Sequence, residues 1–147
     1  MTMTFGQAVK HVFGNYAKFQ GRASRSEFWW FYLFMVIANV VLAIPYYIGL
    51  AQSAGSMTTD PMTGEMTGGS LSGLAIFGLI LLAIWALATI IPLISVSVRR
   101  LHDGGRSGWW WWLNLLCFIG PIILLIFYIL PGTPGPNRFG EGPAKAA

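Results

Sequence analysis

Two long stretches of the chain carry no charge at all: Phe28 to Leu50, and Leu74 to Val98. At a rise of 1.5 Å per residue, the 23 residues of the first reach roughly 34 Å as a helix, enough to cross a hydrocarbon core of about 30 Å. A third stretch, Trp109 to Leu130, is equally apolar but is interrupted by Gly120-Pro121. Composition points the same way, with 55% hydrophobic and only 10% charged residues among 147, against about a quarter charged in soluble domains. So few polar groups cannot cover a water-facing surface, and lipid must cover it instead. The expected fold is an all-α integral membrane protein. Three transmembrane helices, 28–50, 74–98 and 109–130, follow an N-terminal interfacial helix over 1–21 in one membrane domain spanning 1–147.

Aromatic residues mark where these helices meet water. Trp29 and Trp30 stand at the near end of the first, Tyr46 and Tyr47 at its far end, and Trp109, Trp110, Trp111 and Trp112 open the third. Tryptophan and tyrosine favour the headgroup level, so the tryptophans are read as interface anchors. Ahead of the first span, Phe5, Ala8, Val9, Val12, Phe13 and Tyr16 fall at helical spacing on one face, with Gln7, Lys10, His11 and Lys18 largely elsewhere. This is the pattern of a basic amphipathic helix lying in the headgroup plane, with the apolar face in lipid. It lacks the continuous apolar run and cleavage site of a secretory signal. Gly21 then breaks the helix, and Ser24 or Ser26 can cap the next one with Glu27 in its first turn. Between the spans, residues 51–73 are rich in Gly, Ser, Thr and Met and read as a flexible external loop. The tail, 131–140, has too much Pro and Gly for helix or strand. The single cysteine, Cys117, is expected to be a buried small hydrophobe.

Charge sets the orientation. Lys10, Lys18, Arg22 and Arg25 precede the first span, and Arg99, Arg100 and Arg106 lie between the second and third, whereas residues 51–73 contain no Lys or Arg. Seven against none places the N-terminus and the basic Arg99-to-Ser107 loop in the cytoplasm. A full third span puts the tail outside. A re-entrant third segment bent at Gly120-Pro121 returns it to the cytoplasm, since each half is about 15 Å long and too short to cross.

Candidate chemistry concentrates at the same membrane depth. His102-Asp103 beside arginines has the composition of a base and its orienting carboxylate, but adjacent residues on one element point in different directions. Asp103-Gly104-Gly105-Arg106 resembles a fragment of the Asp-Gly motif of phospholipid-head transferases, which need several more aspartates than the two in this chain. Asp60 and Glu65 lie in a glycine-rich segment without partner residues. No catalytic, cofactor-binding or metal-binding residue is therefore assigned, and no enzyme is expected. The spans carry no ionisable residue in their interiors, which argues against a transporter or channel subunit. The basic residues are clustered beside apolar runs rather than spread over a face, so no nucleic acid is expected. What remains is an interfacial ionic cluster of Arg22, Arg25, Glu27, Arg99, Arg100, His102, Asp103 and Arg106. It can tie helix ends together or fork onto lipid phosphate. Glu27 is expected to pair with an arginine of the loop, Arg100 ahead of the others.

Three motifs resemble one bacterial membrane family, domain of unknown function 805. They are Asn15 to Trp29 (NYAKFQGRASRSEFW), Arg99 to Trp110 with its Arg-Arg-Leu-His-Asp opening, and Gly132 to Gly140 (GTPGPNRFG). They occur in the family's order and bracket nearly the whole chain, with a longer 51–73 segment than the family usually has. The resemblance implies a small multi-pass protein of the bacterial inner membrane and supplies no reaction. Together with the residues it leads to an expected non-enzymatic module that binds anionic phospholipid headgroups, a membrane-protein partner or a second copy of itself. The alternatives are a small-solute transporter or channel subunit and, further off, a lipid-modifying enzyme.

Overall fold

The computed structural model describes residues 3–143 and is mostly helical. In order, it contains α1 (Phe5–Gly14), α2 (Arg25–Gly55), a hairpin of β1 (Thr58–Thr59) and β2 (Met66–Thr67), α3 (Gly73–Asp103), a 3-10 helix (Gly108–Leu115) and α4 (Ile119–Ile129). The chain packs as two units. Residues 3–34 with 89–143 form one, and Met35–Ala88 the other.

α2 starts where the sequence places it, with Ser24 Oγ accepting the Glu27 N–H at 3.1 Å. It runs on to Gly55, past the expected end at Leu50, and α3 likewise continues beyond Val98 to Asp103. The Arg99-to-Asp103 segment expected as loop is therefore helix. Its side chains radiate at about 100° per residue, 3.6 residues making a turn. Both helices are long and apolar enough to cross a membrane. Their exposed residues, such as Val40, Val41, Ile84 and Leu87, suit lipid rather than water.

In the second unit, residues 51–73 are more ordered than a flexible loop. β1 and β2 pair antiparallel, Thr58 opposite Thr67 and Thr59 opposite Met66, and Asp60 Oδ1 accepts the Met62 N–H at 2.7 Å in the turn. The Ser72 N–H donates to Ser53 Oγ at 2.8 Å, and Ser72 Oγ to the Gly49 carbonyl at 2.8 Å. A Cβ at Gly49 would meet the Ala75 backbone, so glycine is what lets α2 and α3 approach there.

The first unit departs from expectation twice. The stretch 109–130 is not one helix. Its 3-10 and α halves are separated by a reversal at Cys117, whose φ is 27°, and they pack on each other. A Cβ on Gly120 would collide with the Leu113 carbonyl. Gly120-Pro121, read as an interruption within a span, is the start of a returning helix. The reversal is outward-facing, with Phe118 86% exposed and Cys117 also exposed rather than buried. Secondly, much of the apolar face of α1 meets protein rather than lipid. Ala8 and Val12 are fully buried. Phe13 packs edge-on against Phe31 and Phe34 of α2 at 5.6 and 5.9 Å, and Phe5 against Trp30 at 5.9 Å. Aromatic partners on the first turns of α2 offer that face a better-packed surface than fluid lipid chains.

Candidate functional site: a buried ionic knot

The three motifs converge in the first unit. Gly21, in a left-handed conformation (φ +88°), turns the chain out of the α1 segment. The Ala23 N–H then donates to the Arg99 carbonyl at 3.0 Å, laying the residues before α2 against the last turns of α3. There two carboxylates take up three guanidiniums.

Glu27, on the first turn of α2, is 0% exposed and accepts Arg99 Nη1 at 2.7 Å and His11 Nδ1 at 3.0 Å through the same oxygen, Oε1. Its other oxygen, and Nε and Nη2 of Arg99, have no hydrogen-bond partner among the described residues. Arg100 was the expected partner of Glu27. Helix geometry decides otherwise, because Arg100 shares a face with Asp103 one turn on, whereas Arg99 is rotated away from it. Arg100 Nη1 donates to Asp103 Oδ2 at 2.5 Å. Its remaining nitrogens cap the end of α4, Nε on the Tyr128 carbonyl at 3.1 Å and Nη2 on the Leu130 carbonyl. Arg22 completes the group by forking onto Asp103 Oδ1, with Nε and Nη2 both at 2.9 Å. It reaches on to the Gly135 and Thr133 carbonyls at 2.6 Å each.

The tail closes over this assembly. Thr133 donates its N–H to the Asp103 carbonyl at 2.8 Å. Asn137 Nδ2 bonds the His102 carbonyl at 3.0 Å and Thr133 Oγ1 at 2.8 Å. Gly132 lies against the Asp103 carboxylate where a Cβ would overlap it. His102 points away from Asp103. Its Nδ1–H donates to the Gly21 carbonyl at 3.2 Å, and its ring stacks on Phe139 at 4.0 Å and 6°. No base–carboxylate pair therefore forms from these neighbours.

Six of the eight cluster residues are thus drawn into one network: Arg22, Glu27, Arg99, Arg100, His102 and Asp103. The other two lie outside it. Arg25 is exposed, and Arg106 lies over the Phe127 ring at 4.0 Å. The tryptophans fall on the surface to varying degrees, from Trp109, 78% exposed, to Trp29 and Trp111, half-buried. The cluster as read from sequence omitted His11, Thr133, Asn137 and Phe139. Their signal lay in the closing motif and in the opening helix, but neither charge nor spacing said that they would meet.

Among the described residues the buried charges are three guanidiniums and two carboxylates, and each carboxylate is paired with arginine. This is a clasp between chain segments far apart in sequence, built at the C-terminal end of α3. Two relatives from Escherichia coli (strain K12) support a membrane setting. Inner membrane protein YhaH is 37% identical over 132 residues, covering 90% of this chain and 92% of the relative. Inner membrane protein YhaI is 34% identical over 133 residues, covering 90% and 91%. No solved structure matches the chain. The family described as Protein of unknown function (DUF805) matches residues 16–141, so all three motifs of the knot lie almost wholly inside it. This chain is a small helical membrane protein and belongs to that family.

Proposed function

We propose that the chain is a non-enzymatic integral protein of the bacterial inner membrane that presents a basic cytoplasmic face to anionic phospholipid headgroups. The imbalance of seven Lys and Arg beside the apolar segments against none in residues 51–73 supports a cytoplasmic N-terminus. α2 and α3 are the two spans. The third segment enters and returns, with the tail on the cytoplasmic side. In support, α4 has 11 residues and the 3-10 helix eight. Each is about 16 Å long at rises of 1.5 and 2.0 Å, half a hydrocarbon core. Both ends of the segment also touch α3 near its end, Gly108 at Val98 and His102, and Leu130 at Arg100. α1 lies at headgroup level on the foot of α2.

One observation carries the headgroup reading. The first unit has three carboxylates among the described residues, and the knot encloses two, Glu27 and Asp103. Glu141 alone is exposed, against Lys10, Lys18, Arg25 and Arg138. Four positive charges less one negative leave three facing outward. A basic residue near an anionic leaflet contributes about 1 kcal/mol of attraction. Both enclosed carboxylates are paired with arginine, which supports a structural rather than a catalytic role for them.

The test is purification of the full chain in a gentle detergent, with the accompanying lipids and proteins identified. Anionic lipid should be enriched over zwitterionic lipid, and the enrichment should fall when Lys10, Lys18, Arg25 and Arg138 are all changed to Gln. Unchanged enrichment, or a stoichiometric protein in place of lipid, would overturn the reading, as would turnover of a lipid substrate by the pure protein.

A further inference from the structure

Two cavities lie in line along one face of α2, both inside the first unit. The upper, about 300 Å³, is lined by Arg22, Ser24, Arg25 and Ser26 on one side and by Gly132, Thr133 and Pro143 on the other, with the Asp103 carboxylate, already held by Arg22 and Arg100, also in its wall. The lower, about 180 Å³, lies between Phe28, Trp29 and Tyr32 of α2 and Pro121, Leu125 and Tyr128 of α4. Residues 25, 28, 29 and 32 follow the spacing of a single helix face. From 25 to 32 the rise is about 10 Å. A polar chamber therefore sits roughly two turns above an aromatic and aliphatic one.

The upper chamber suits an anion. Arg22 is committed to Asp103 and the tail, but Arg25 is exposed and donates no hydrogen bond to any described residue. The Ser24 and Ser26 hydroxyls are 3.1 Å apart. One proton bridges them, and the second is left to donate outward. Among the described residues the charge nearby is positive, since four arginines, Arg22, Arg25, Arg99 and Arg100, stand against two carboxylates, Glu27 and Asp103. A water-soluble phosphate would use this chamber alone, and a neutral lipid the lower one alone. An occupant that uses both has a phosphate and an acyl chain about 10 Å apart.

We propose that this seam binds one anionic glycerophospholipid. Its phosphate lies on Arg25 and the one serine hydroxyl proton left free, and an acyl chain lies along Phe28, Trp29 and Tyr32 against Leu125. The proposal rests on the headgroup reading above and narrows it from a diffuse surface attraction to a one-to-one site.

The experiment titrates the full chain in detergent with dioleoyl phosphatidylglycerol and counts bound lipid by native mass spectrometry. One lipid should bind saturably, with dioleoyl phosphatidylcholine about tenfold weaker, the loss of a charge-assisted preference. Glycerol 3-phosphate should not displace it. Arg25→Gln should weaken the first adduct about tenfold, and so should Leu125→Trp, which fills the lower cavity. Changing Lys10, Lys18 and Arg138 together to Gln should weaken that adduct less than Arg25→Gln does alone. In the unchanged protein, a phosphatidylglycerol carrying a photoreactive acyl chain should crosslink to the peptides containing Trp29 and Leu125. Crosslinking elsewhere, indifference to Arg25→Gln, or displacement by glycerol 3-phosphate would each overturn the site. If the saturable adduct is missing while co-purifying anionic lipid stays enriched, the site alone falls. If both are missing, the headgroup reading falls with it.

Discussion

Glu27→Gln is the sharpest probe of the knot, because it removes one charge from a pair with no solvent to replace it. Glu27 is fully buried and its partner Arg99 is 3% exposed. Removing one member of a buried ion pair costs about 3–5 kcal/mol, chiefly because the remaining charge is stranded. Glutamine keeps one acceptor oxygen for Arg99 Nη1, which puts the loss near the lower end, about 3 kcal/mol. For a chain of this size each kcal/mol moves the midpoint by roughly 3 °C, so the melting temperature in detergent should fall by about 9 °C. The assay is loss of helical circular dichroism at one fixed scan rate. Arg99→Gln should cost about as much, and the double variant little more than either single, because the two residues act as one unit. Glu27→Gln combined with Arg100→Gln should instead lose the sum, since Arg100 serves Asp103 and the end of α4. Exchanging the charges, Glu27→Arg with Arg99→Glu, should restore part of what Glu27→Arg removes. Additive losses in the 27/99 pair, or a fall below about 2 °C for Glu27→Gln, would refute the pairing.

Topology can be read with an impermeant thiol reagent in a Cys117→Ser background, where Met62→Cys should label from outside and Gly104→Cys and Glu141→Cys should not. Outside labelling at 141 alone would establish a full third span. Gly132→Ala forces a methyl into the Asp103 carboxylate, so it should cost about 2 kcal/mol and lower the midpoint by roughly 6 °C. An unaltered midpoint would mean the tail does not seat there. Val12→Asp should lower the midpoint by about 10 °C, because it buries an unpaired carboxylate against α2 rather than exposing one to headgroups. A stable Val12→Asp protein would show that this face of α1 is not packed on protein.

Periodicity and charge made α2, α3 and most of the knot's members legible, because an uncharged run of more than twenty residues has few alternatives to a long helix. The helix ends were less so. Nothing in the basic character of Arg99 and Arg100 says that α3 continues through them, and without that helix their faces cannot be told apart. Hence Arg100 was favoured for Glu27, and the i, i+3 relation of Arg100 to Asp103 went unseen. The course of the third segment was not legible, because hydropathy is blind to direction. Whether Trp109 to Leu130 crosses or returns depends on the contact between Gly120 and Leu113 and on which carbonyls Arg100 caps. Those are tertiary facts. The apolar stripe on α1 was real, but a stripe does not name its partner, and Phe31 and Phe34 compete for it with lipid.

The clasp also imposes an order of assembly. Chains are made from the N-terminus, and the partners of Arg22 are Asp103, Thr133 and Gly135, 81 to 113 residues later. Until the later residues exist, Arg22 and Arg100 lack the carbonyls that surround them in the folded chain. The knot can shut only after Thr133 and Gly135 have been made. A product cut short before Gly132 would thus leave Arg22 without the Thr133 and Gly135 carbonyls, while Arg100 could still cap the end of α4. An interrupted product would be distinguishable from a finished one by its open clasp.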